Sequence, residues 1–168
     1  MDTLLQPGET IFIPGTEPFA VSVNFRPDMG PEAQVRIASV LANFVRWFFE
    51  KGEGAASSSV VEWLELQRNA SNSTILHELG GAVGVETSLA SAFWLMLQQN
   101  AGQPGPLATN GWGNVFYVRD AVDQLRSVNI HWCDGGWSID AMPIDTKTEW
   151  SIRDRVFRPA VPAREQVQ

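Results

Sequence analysis

Cysteine and positive charge are scarce in this chain, and long apolar runs are missing altogether. There is one cysteine in 168 residues, Cys133. A single thiol excludes an intramolecular disulfide, so the fold is not a bridged scaffold. Twelve basic residues face nineteen acidic ones, for a net charge of −7. That balance opposes binding to phosphate backbones, which relies on clustered Lys and Arg, and nucleic acid is not an expected partner. The three arginines Arg153, Arg155 and Arg158 stand beside Glu149 and Asp154 and read as a solvated strand edge. No stretch reaches the ~20 apolar residues of a membrane-spanning helix. The apolar parts of Val35–Phe49 and Leu89–Leu97 are short and carry polar breaks. Met1-Asp2-Thr3 opens the chain without a basic n-region, so no signal peptide is expected. The expected location is the cytoplasm, or a particle released from it. No glycine-rich phosphate loop occurs, because Gly111-Trp112-Gly113 has no helix after it.

Hydrophobic residues make up 44% of the chain, enough for one domain with a core, and seven are Trp. The clearest pattern lies between Asn114 and Phe157, which reads as an antiparallel β-meander. Val115 to Arg119 is β-branched and aromatic. Leu125 to Trp132 alternates, with Val128, Ile130 and Trp132 on one face and Ser127, Asn129 and His131 on the other. Asp134-Gly135-Gly136 suits a tight hairpin. Trp137, Ile139 and Ala141 then share a face opposite Ser138 and Asp140, and Pro143 marks a strand end. Arg155-Val156-Phe157 adds a short last strand.

Upstream, residues 1–27 read as a β hairpin. Its strands are Thr10–Ile13 and Phe19–Phe25, with turn chemistry over Pro14–Pro18. Residues 28–103 read as a helical block. Ile37, Val40, Leu41, Phe44, Val45 and Phe48 recur at helical spacing, and Ser59 with Glu62 fits a capping box opening a second helix to about Arg68. Thr74–Leu79 reads as a short turn of helix. A third helix follows Thr87 or Ser88, with Leu89, Ala92, Phe93, Met96 and Leu97 as its stripe. Residues 104–113 read as a linker and 159–168 as an extended tail. The expected architecture is a single α+β domain over 1–158. An N-terminal hairpin and a C-terminal meander (114–157) join in a sheet system, with two to three helices packed on one face.

Three sets of residues bear on chemistry or recognition. His77-Glu78-Leu79-Gly80-Gly81-Ala82-Val83-Gly84 resembles the zinc-binding helix of metzincin-type metalloproteases, H-E-x-x-H-x-x-G-x-x-H. The resemblance implies a hydrolase with His77 as a ligand and Glu78 as general base. Gly81 and Thr87 stand where that family has its second and third histidines, and a zinc site takes three protein ligands. His131 and Cys133 share a strand face without a third, orienting group, and Glu62 with Glu65 reads as a solvated helix face. No catalytic, cofactor-binding or metal residue is therefore assigned.

The second set is Trp112, Trp132, Trp137 and Trp150, in or beside the meander. They either fill the core or form a platform for a carbohydrate or other ligand. The third is the apolar surplus of the helices, Trp47, Phe49, Trp94 and Leu95, together with Pro159 and Pro162 of the tail. A helix apolar beyond the stripe it needs is covered on more than one side. The expectation is a non-catalytic structural or protein-interaction subunit, in a homo-oligomer or a multi-subunit particle such as a virion.

Overall fold

A computed structural model describes residues 2–161. Its first half contains β1 (Leu5–Ile13), β2 (Phe19–Ala20), α1 (Val21–Asn24), β3 (Ile37–Val40), α2 (Ala42–Phe48) and β4 (Gly52–Glu53). There follow β5 (Ser59–Leu66), β6 (Ala70–Ser71), α3 (Asn72–Glu78), α4 (Ala82–Val85) and α5 (Leu89–Gln98). The remainder is strand: β7 (Asn114–Arg119), β8 (Leu125–Cys133), β9 (Gly136–Pro143), β10 (Glu149–Trp150) and β11 (Arg155–Pro159). The fold is mixed α+β, mostly sheet. Seven strands form one sheet in the order β1-β5-β11-β7-β8-β9-β3. No helix among the described residues is long and apolar enough to cross a membrane.

Two cores lie on opposite faces of this sheet, and β7 shows why. Phe116 and Val118 point into one cluster, Val115 and Tyr117 into the other. A strand covered on both faces is apolar at every position rather than at alternate ones. The first cluster takes Val21 of α1, Phe44 and Phe48 of α2, and Leu89, Ala92 and Phe93 of α5. The second takes Ile75 of α3, Val85 of α4, and Leu64, Leu66 and Trp150. Helices therefore cover both faces, not one as expected.

β7, β8 and β9 pair antiparallel in sequence order, with Phe116 opposite Val128 and Val128 opposite Ala141. The N-terminal hairpin does not form. β1 pairs instead with β5, Ile11 opposite Val61. Phe19–Phe25 divides into the two-residue β2 and the single turn α1. Val21 and Phe25 are buried, as a strand would have them, but four residues also make one helical turn. Val23, which a strand would bury with them, is exposed.

The helical block is corrected at two places. Ile37–Val40 is a strand running parallel to β9, and Leu41 N donates to Ile139 O at 2.9 Å before α2 begins. Only the second half of the apolar stripe is helical. The stretch expected as the second helix is β5, which lies between β1 and β11. Val61 and Trp63 face the first core while Leu64 and Leu66 face the second, a period of two across both faces. Ser59 and Glu62 are then no capping box. Glu62 accepts from Arg158 Nε at 2.6 Å, and Glu65 lies on the opposite face from it.

α5 starts where Ser88 caps it, accepting Ser91 N at 3.1 Å, and Glu53 accepts the N–H groups of Leu89 and Ala90. The stretch 104–113 is pinned to the domain. Leu107 and Ala108 are buried, the Gln99 amide bonds Leu107 in both directions, and Ala108 N donates to Asn114 Oδ1.

Candidate functional site

The His77–Glu78 pair ends α3 on the surface, with both side chains exposed. Gly80 and Gly81 follow at φ of 87° and 80°, left-handed values that stop the helix. His77 and Gly81 thus do not share one helix, the i, i+4 geometry that H-E-x-x-H requires. Among the described residues, no group of three or more His, Cys, Asp or Glu is placed to hold a metal ion.

The four tryptophans of the meander region separate. Trp137 lies in the first core, donating from Nε1 to Gln99 O at 3.0 Å and meeting half-buried Trp132 edge-on at 5.2 Å. Trp150 lies in the second core and donates to Asn72 Oδ1 at 2.7 Å. Trp112 and Trp132 keep part of their surface exposed.

The helix residues named as an interface are largely occupied within the chain. Leu95 is buried. Phe49 is half-buried and edge-on to Phe44, and half-buried Trp47 is covered by the Arg126 guanidinium 3.9 Å above its ring. Trp94 keeps an exposed side beside Pro18, Phe19 and Leu97 in a shallow groove of about 410 Å³. Pro159 is exposed at the end of β11, and Pro162 lies outside the described residues.

Exposed apolar surface collects elsewhere, at the end of the sheet where β1, β5 and β11 meet. Phe12 is 61% exposed and stands opposite Val60, 44% exposed, across the β1–β5 ladder. Val60 and Val83, the latter 94% exposed on α4, line a groove of about 570 Å³ with Ile13, Val61, Thr87 and Pro159. Glu86 is the one charged side chain in that lining. The adjacent strand β1 is a sheet edge. Pro7, which lacks an N–H, and a bulge between Pro7 and Thr10 blunt its first half, and the outer side of Thr10–Ile13 has no strand partner among the described residues. The patch is not legible in the sequence, where Thr10–Ile13 reads as part of a closed hairpin and Val60 as part of a helix.

The second face also carries buried polar groups. Asn72 accepts from Tyr117 OH at 2.9 Å and from Trp150 Nε1, and its amide nitrogen lies 3.3 Å from Ser127 Oγ. Burial pushes the Tyr117 phenol far above its ordinary value. Asp154 is buried and accepts the N–H groups of Gly113 and Ser151 at 2.7 and 2.8 Å. Burial raises its pKa, against the pull of those two bonds and of the nearby His131 side chain. At the other end of the sheet Asp120 accepts from the N–H groups of Gln124 and Val122 and from Arg126 Nε, each at 2.9 Å for the first two and the ion pair alike. Burial pushes the Asp120 carboxyl up, but these bonds together outweigh it, and its pKa is lowered.

No family model, no curated protein and no solved structure matches this chain. A functional reading therefore rests on its own residues and their geometry.

Proposed function

We propose that this chain is a structural, protein-interaction subunit of a larger assembly, a homo-oligomer or a multiprotein particle such as a virion, and that it works without turnover of a substrate. The observation that carries the reading is the apolar patch of Phe12, Val60 and Val83 beside the open half of edge strand β1. An exposed apolar groove next to unpaired backbone offers a partner both hydrophobic area and ladder hydrogen bonds. The scarcity of charge in its lining fits the depletion of charged residues at the centre of protein interfaces.

The native mass of the purified chain, measured by sedimentation over a range of concentrations, tests this. Self-association is expected, and the double substitution Phe12→Ser with Val60→Ser is expected to weaken it about tenfold or more while leaving the melting temperature nearly unchanged, since a single hot-spot residue contributes roughly 2 kcal/mol or more. A parent that stays monomeric at high concentration, indistinguishable from the variant, overturns the reading.

A further inference from the structure

We propose that Ser138 is a base-activated hydroxyl that accepts an acyl group from an activated, uncharged ester, with His131 as its base and Asp154 as the positioning residue behind that base. The three stand in one transverse row of the sheet. His131 on β8 is directly opposite Ser138 on β9, and Ser138 is opposite Ser39 on β3. On the other side of β8, Asn114 is opposite Ile130 and Arg155 is opposite Asn114. One residue along each ladder, Gly113 and Asp154 come level with His131. Residues level across a sheet share a face, and nearest neighbours lie within side-chain reach.

Gly113 makes the row continuous. It has no side chain to stand between the carboxylate and the imidazole. A Cβ there would come within 2.9 Å of Asn129 Oδ1 and 3.4 Å of Asp154 Oδ1, so both oxygens converge over this glycine. Next to them is a half-buried imidazole whose Nδ1 is buried without a hydrogen-bond partner, as is Asn129 Oδ1. A small rotation of the imidazole would let Nδ1–H donate to one of these oxygens, which would leave Nε2 as the basic nitrogen. Two backbone N–H donors hold the Asp154 carboxylate in place and pull against the burial that raises its pKa.

Ser138 is only 5% exposed, and its Oγ lies 2.6 Å from Ser39 Oγ. With Ser39 donating, Ser138 keeps its own proton for His131. No hydrogen bond yet joins the imidazole to Ser138 or Asp154. Such bonds are commonly long before a reactant is bound. Titratable groups beside the row include Asp140, opposite Asn129, Cys133 two residues beyond His131 on β8, and Arg153 and Arg155 on either side of Asp154. The row contains no Lys or Arg, which selects against anionic acyl donors.

The step balances without an oxidant or a metal. Ser138 Oγ forms a bond to the ester carbonyl carbon and its proton passes to His131 Nε2. The bond to the leaving alcohol breaks, the alcohol takes that proton, and Ser138 is left as an ester. This is a single transfer, independent of the assembly proposed above.

The test uses the full chain with p-nitrophenyl acetate, read by mass spectrometry of the Ser138 peptide. One acetyl group on Ser138 is expected. His131→Ala is expected to slow its formation about 100-fold or more, the usual range for loss of a general base. Asp154→Asn is expected to slow it less and to alter its pH profile, whereas a merely structural Asp154 would change stability alone. If circular dichroism shows that His131→Ala does not fold, the parent's pH profile decides. A rate that levels off once an imidazole has lost its proton supports the proposal, and one that keeps rising with hydroxide overturns it. Acetylation confined to lysines, or a Ser138 rate indifferent to His131, also overturns it.

Discussion

The two faces of the seven-stranded sheet solve the same burial problem with different chemistry. On the first face Phe25 meets Phe44 at 5.2 Å and Phe93 at 5.5 Å, Phe44 stacks on Phe48, and Phe116 stacks on Phe157 at 4.6 Å. Aromatic burial of this kind supplies large, weakly directional stabilisation. On the second face the aromatic residues Tyr117 and Trp150 are each tied through a polar atom to the single side chain Asn72. Such a network adds little net energy when satisfied and costs much when broken, so it dictates where the covering elements sit. The first face holds the domain together. The second fixes the position of α3 and β10 against the sheet and leaves polar groups, Asn129, His131 and Asp154, in its upper part.

The contrast is broken most severely by Val128→Asp, which sets a carboxylate among the apolar side chains of the first face. The expected cost is several kcal/mol, comparable with the roughly 5–15 kcal/mol stability of a whole domain. The variant should lack a cooperative melt by circular dichroism. A melt matching the parent would mean that Val128 is not where the first core places it.

Asn72→Ala tests the second face and should cost less, about 2–4 kcal/mol, from leaving Tyr117 OH and Trp150 Nε1 buried without an acceptor. Urea denaturation of Asn72→Ala, Tyr117→Phe and the double variant measures the coupling. Additive losses would show that no network joins them.

The smallest effect is on pH. The lowered pKa of Asp120 means that its contribution is present above the ordinary carboxyl range, near pH ~4, and is lost as pH falls through its lowered folded value. Asp154 has the opposite sign. Its raised pKa opposes folding at neutral pH, and this opposition fades as pH falls through the raised value. Asp120→Asn should therefore flatten the acid limb of stability against pH, whereas Asp154→Asn should raise stability at neutral pH relative to mildly acid pH. The same change in both variants would show that the two carboxyls are not held differently.

Legibility in the sequence followed the number of readings each pattern allowed. Leu125–Cys133 and Gly136–Pro143 alternate cleanly, and the glycine turn between them places Trp132 opposite Trp137. β5 reads as a helix because it packs against cores on both faces, and Val61, Trp63, Leu64 and Leu66 satisfy a helical stripe as readily as two strand faces. Ile37–Val40 continued the period of α2 and gave no sign of a partner 100 residues away in β9. The polar row was half readable. The hairpin register carries His131 to Ser138, but Asp154 joins only through the parallel pairing of β11 with β7, which nothing local announces.

The placement of β11 sets an order on folding. β5 and β7 touch β11 rather than each other, so residues 155–159 close the sheet although they are made last of its strands. Without β11 the strand order divides into two groups, β1-β5 and β7-β8-β9-β3, each with an inner edge that the same five residues complete. Contacts this distant in sequence are slow to form, and unpaired edges meanwhile invite pairing with other chains. A nascent chain stalled before Arg155 would present both edges at once, and refolding of the full chain from denaturant should be limited by insertion of β11 rather than by growth of the helices.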